Sequence, residues 1–168
     1  RVDDICAEVG IAKGSFYAFF PSKEDLFMSI VEARESLHQT EILSFIASAK
    51  GAPRRRAGLF FDLILNKIET DPVLNLVLAN GEIGYLVRKL GHERFAAGHA
   101  KDVDFADAAA RRWSEAGGGR IAPSDLLGLM TIALSVASQR TQMTPEHYGP
   151  TVALLRELFI DRLTKVPK

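Results

Sequence analysis

An all-α protein is predicted by two observations: no β-branched, alternating run bounded by turn signals reads as a strand, and breaks bearing glycine or proline divide the 168 residues into about eight helical pieces. The breaks fall at Val9-Gly10-Ile11, Pro21-Ser22, Gly51-Ala52-Pro53, Asp71-Pro72, Gly91-His92, Gly117-Gly118-Gly119 and Thr144-Pro145. The first two pieces are short, Val2 to Glu8 and Ala12 to Phe19. A long third piece is expected from about Lys23 to Lys50, opened by Ser22, whose hydroxyl can cap it with Asp25 three residues on. The helix after Pro53 carries Leu59, Phe60, Phe61, Leu63, Ile64, Leu65 and Ile68 and leaves only a narrow polar strip, as a helix buried over most of its circumference does. His92 to Ala116 is mixed. Leu126 to Ala137 is apolar on every face, and a last helix from about Pro150 to Thr164 sets Val152, Leu154, Leu155, Leu158, Phe159 and Leu163 opposite Glu157, Asp161 and Lys165.

Composition bounds the function. With 47% hydrophobic and 25% charged residues and no apolar run near the ~18 needed for a span, the chain reads as a soluble globular protein without a membrane partner. Cys6 is the only cysteine and there is no signal-peptide pattern, so a cytoplasmic location is expected, with Cys6 a small core residue. Net charge is zero, and residues 1–50 hold five basic against eight acidic side chains, so an argument for nucleic acid must rest on local geometry. From Gly10 through Lys23 there are two lysines and no acid. That stretch is locally positive.

The segment from Arg1 to Phe20 places two short helices on either side of a three-residue turn holding Gly10, which is helix-turn-helix spacing. Ile5 and Val9 are expected to pack on Phe16 and Phe20. Lys13, Gly14, Ser15, Tyr17 and Ala18 then face outward as a small, polar, partly basic surface suited to a major groove. In order and without gaps, Ile5, Gly10, Lys13-Gly14, Phe16-Tyr17, Phe20-Pro21-Ser22-Lys23 and Leu26 resemble the signature of the TetR family of transcriptional regulators. The resemblance implies a helix-turn-helix at residues 1–47, joined by the long helix to a ligand-sensing and dimerising helical domain at 48–168. It implies that Lys13, Gly14 and Ser15 approach base edges or phosphates, that Tyr17 and Lys23 contact the backbone, and that a further helix precedes Arg1 and packs under the pair. Arg1 stands where the family often has a threonine cap, so a guanidinium would meet phosphate there. Ala12 replaces a serine cap, a change worth roughly 1 kcal/mol.

The expected partners are double-stranded operator DNA, a second copy of the chain and a small-molecule effector, with no cofactor and no metal. Leu126–Ala137 and Val152–Leu163 hold more apolar surface than one small domain buries, so Leu127, Leu134, Leu155 and Leu158 are assigned to a homodimer interface. Phe60, Phe61, Tyr85, Phe95, Phe105, Trp113 and Met130 are candidates for an effector pocket, with plain core as the competing assignment. His92, His99 and Asp102 could share one helix face, but unsupported by cysteine they are assigned to solvent or caps. Arg54-Arg55-Arg56 reads as a solvated charge run. No phosphate-binding glycine loop, HExxH or GxSxG is present, and Gly117–Gly119 lacks the strand and the Lys-Ser/Thr of a phosphate cradle, so enzymatic function is not expected. A helical adaptor, or a small-molecule-binding protein without DNA activity, is the alternative.

Overall fold

The computed structural model describes residues 1–79 and 82–165, and within them nine helices and no strand. They are α1 (Val2–Val9), α2 (Lys13–Phe19), α3 (Lys23–Ser48), α4 (Pro53–Thr70), α5 (Pro72–Ala79), α6 (Glu82–Leu90), α7 (His92–Glu115), α8 (Pro123–Ser138) and α9 (Pro145–Thr164). Among the described residues no helix is long and apolar enough to cross a membrane.

Two boundaries differ from expectation. The single piece expected after Pro72 is two helices, α5 and α6; between them the sequence carries Asn-Gly at 80–81, a turn-forming pair that lies outside the described residues. The last helix starts at Pro145, not Pro150, because proline suits the first helical position, where its missing N–H is no loss. Pro150 then lies inside α9, at the cost of one bond to the Glu146 carbonyl.

Helix α4 is the central helix of the bundle and packs against α3, α5, α8 and, most extensively, α9. Its Phe60 and Phe61 are fully buried and meet Phe159 of α9 edge-on, with ring centroids at 5.4 and 5.5 Å. Trp113 of α7 stacks on Phe60 at 6.0 Å, and its indole N–H donates to the Leu163 carbonyl at 2.9 Å. Each such side chain contributes roughly 1.5–3 kcal/mol by burial alone. Of the three glycines after α7, Gly117 turns the chain at a φ of 75° and the other two serve this packing. A Cβ on Gly118 would collide with the Trp113 ring and one on Gly119 with the Leu163 carbonyl, so only glycine lets the chain pass between α7 and α9.

The arginine run is only partly solvated. Arg54 pairs with Asp161 at 2.6 Å, but Arg56 is buried over the Trp113 ring at 4.9 Å and donates to the Ala116 carbonyl at the C-terminus of α7. The cation sits where the unpaired carbonyls of that helix end concentrate negative potential. Helix α3 connects everything. Ser22 accepts from the Asp25 amide at 3.1 Å as its cap, and further along α3 packs on α4, α5, α6 and α7.

At the α4–α5 junction Asp71 is buried and accepts from the Val73 and Leu74 amides, from Arg34 Nε at 2.8 Å, and from His38 at 3.1 Å. Burial works against the charged carboxylate, but the bonds from Leu74, Arg34 and Val73 hold its pKa below the usual range. This cluster pins the middle of α3 to the start of α5.

Candidate nucleic-acid interface and effector cavity

Helices α1 and α2 are joined through Gly10, whose φ of 70° gives the left-handed turn, and the Ile11 amide closes it on the Cys6 carbonyl at 3.0 Å. Each helix buries one side chain, Cys6 and Phe16. Phe16 also packs on Phe20, with centroids at 5.8 Å. Val9, expected in this seam, is instead 60% exposed: it is the last residue of α1, beside the open turn, and Cys6 one turn earlier takes the inner place.

The outer face of α2 presents Lys13, Gly14, Ser15, Tyr17 and Ala18, all exposed, and beside them Phe19. Lys13 Nζ lies 2.9 Å from Asp3 of α1, an ion pair that raises the lysine pKa and lowers the aspartate's. Arg1 reaches the same Asp3 at 3.8 Å. Lys23 is exposed at the start of α3, with Glu24 at 3.8 Å. The small exposed helix face, the flanking base and the three-residue turn together have the shape of a major-groove reader. The profile of bacterial regulatory proteins of the tetR family matches residues 1–30. Its N-terminal region is that of a TetR-family regulator. No curated protein and no solved structure matches the chain.

The chain is therefore a DNA-binding transcriptional regulator with a TetR-type helix-turn-helix. In the remainder of the molecule, Glu24 links this region to the helices behind it. Its carboxylate is buried and accepts from the Tyr85 hydroxyl of α6 at 2.6 Å, a bond that lowers the Glu24 pKa although burial pushes it up. Tyr85 also lines an apolar groove with Ile5, Leu26, Phe27 and Ile30.

A separate cavity of about 250 Å³ lies between α3, α4, α5, α7 and α8. Of the seven pocket candidates it contains Phe105 and Met130. Phe60, Phe61 and Trp113 are in the aromatic core, Tyr85 is in the groove beside Glu24, and Phe95 is half-buried on α7 away from the cavity wall. The polar part of the wall was not anticipated. It consists of Glu35, His38 and Gln39 of α3, Lys67 of α4, Asp102 of α7 and Thr131 of α8. A signal for it existed: Val31, Glu35, His38 and Ile42 fall at helical spacing on one face of α3, so charged and apolar residues alternate along a face that a helix normally keeps of one kind. His92 and His99 are at the surface, while Asp102 turns toward Gln39, whose amide donates to it at 3.4 Å.

Of the four leucines assigned to an interface, Leu127 and Leu134 line the cavity and Leu155 is buried within the chain. Leu158 is exposed, and its surface neighbours in apolar character are Ile132 of α8 and Leu154 of α9, all at least half exposed. Helices α8 and α9 thus share an uncovered apolar face.

Proposed function

We propose that the protein is a ligand-responsive repressor that binds a palindromic operator as a homodimer and changes its operator affinity when a small molecule fills the α3–α8 cavity. The observation that carries this is the position of α3. One end of it bears Lys23 beside the DNA-reading face, and its middle forms a wall of the cavity. In a two-fold dimer the recognition helices must stay about 34–36 Å apart to enter successive major grooves, so a small tilt of α3 breaks the match. The ligand acts only by its differential affinity for the two spacings.

Homodimerisation is assigned to the apolar face of α8 and α9, and Leu158 is the one of the four leucines that lies on it. Exposed apolar side chains grouped on two adjacent helices suit a four-helix bundle across a two-fold axis.

A gel shift with the promoter upstream of the protein's own gene tests the regulator directly. Salt-dependent binding to that fragment in preference to unrelated DNA is expected, and equal retardation of both would overturn the operator-binding role. By reciprocity, operator DNA must alter effector affinity by the same factor as effector alters operator affinity, about 5- to 150-fold for a coupling of about 1–3 kcal/mol.

A further inference from the structure

The charges on the cavity wall do not balance. Lys67 is already committed to an ion pair with Glu41, and His38 is hydrogen-bonded to Asp71, with burial and the nearby Lys67 lowering its pKa and so favouring the uncharged ring. Glu35 has no hydrogen bond or ion pair among the described residues, and Asp102 has the long contact from the uncharged Gln39 amide and, beyond it, the exposed His99 imidazole, whose charge does not offset the burial that raises the Asp102 pKa. Around these two carboxylates the wall is apolar, with Ile42, Ile64, Ile68, Phe105, Met130 and Leu134. We propose that the effector is an organic cation, an alkyl- or arylalkyl-ammonium, whose charged nitrogen sits between Glu35 and Asp102 while its apolar body fills the space between Ile68, Phe105 and Met130. This inference rests on the effector-binding role proposed above.

The chemistry of the wall supports a cation over an anion or a neutral lipid. Two like charges facing one cavity repel, and the pair is relieved either by a proton or by a cation between them. Glu35 registers this repulsion even though its side chain stands exposed at the rim of the cavity: partial desolvation, then the charges of Asp102 and Glu32, push its pKa up to about 7. Lys101 of α7 is the one opposing charge acting on it, and it does not cancel the shift. Lys67 is the charged group that α4 brings to the wall, and α5 and α8 bring only uncharged side chains. An ammonium group would supply the missing counter-charge at the rim of a largely apolar cavity, where a charge-assisted hydrogen bond is stronger than in open water. An anion would add a third negative charge.

The test compares 4-phenylbutylamine, 4-phenyl-1-butanol and 4-phenylbutyrate, three probes of one shape that differ in charge, by titration calorimetry with the whole chain at pH 8. The ammonium is expected to bind at least about tenfold more tightly than the alcohol, with the carboxylate weakest. Because Glu35 attracts the ammonium only when ionised and loses its proton near pH 7, ammonium affinity should rise about tenfold between pH 6 and pH 8. Glu35→Gln and, separately, Asp102→Asn should each reduce the preference for ammonium over alcohol while leaving alcohol binding intact, which also shows that the variants are folded. Equal affinity for the three probes, no binding of any of them, or an ammonium preference that survives both substitutions would overturn the proposal. Repeating the gel shift with the amine separates the two levels of inference: selective binding that leaves operator affinity unchanged supports the cation site and removes the sensor role.

Discussion

The helix pair α1–α2 and the bundle built on α4 are stabilised and used in opposite ways. The pair buries one side chain per helix and exposes Lys13, Ser15, Tyr17 and Phe19, so its chemistry lies on its surface. The bundle locks Phe60, Trp113 and Phe159 together with almost no exposure and leaves a space beside Phe105 and Met130, the place proposed for the effector. A surface reader needs correct local geometry from consecutive residues. A cavity needs distant helices to pack well and yet not completely.

The contrast breaks most sharply through the core. Phe60→Ala should destabilise the chain by about 3–5 kcal/mol, since it removes a ring in contact with Phe45, Trp113 and Phe159. Tyr17→Ala, at a half-exposed site, should leave the urea midpoint nearly unchanged and weaken DNA binding instead. A large stability loss from Tyr17→Ala would mean that Tyr17 supports the packing of the pair and not its outer surface.

Next in size is assembly. Ile132→Glu together with Leu158→Glu places charge on the apolar α8–α9 face and should yield monomers by sedimentation, with weaker operator binding and unchanged helicity. An unaltered dimer would move the interface elsewhere. Lys23→Ala should then weaken binding to all DNA sequences alike and reduce the slope of log affinity against log salt by about one. A loss confined to one preferred sequence would reassign Lys23 to base reading.

A finer probe is Tyr85→Phe, which deletes the hydroxyl bonded to the buried Glu24 carboxylate where the two regions meet. The cost should be about 1–3 kcal/mol in stability, because a buried carboxylate loses a partner, and the reciprocal effect of ligand on DNA affinity should shrink. Full retention of that coupling would show that α6 does not carry it.

The smallest expected effect is electrostatic. Glu35 binds its proton more tightly in the folded chain, at about 7, than at its ordinary 4.5, so the folded state holds extra proton between those values. Stability should therefore fall as pH rises from about 4.5 to about 7 and level off above, and Glu35→Gln should flatten that part of the urea-midpoint profile. An identical profile in the variant would show that Glu35 is solvated like any surface acid.

What the sequence alone determined was whatever depends on contiguous residues. The all-helical class, the Gly10 turn, the Ser22 cap and the outward set Lys13, Gly14, Ser15 and Tyr17 all follow from local φ/ψ preferences and a short ordered motif, and the tetR-family match covers that same stretch. Tertiary structure decided the rest. Phe60, Phe61 and Trp113 look no different in sequence from Phe105 and Met130, and only the crossing of α4, α7 and α9 places the first three in a filled core and the other two at a cavity. Leu134 and Leu158 are equally apolar, but their helices turn one toward the cavity and the other to the surface. The pairing of Glu35 with Asp102 joins residues 67 positions apart in the chain. Helical periodicity fixes which residues share a face of one helix, but which helix that face meets is set by packing across the whole domain.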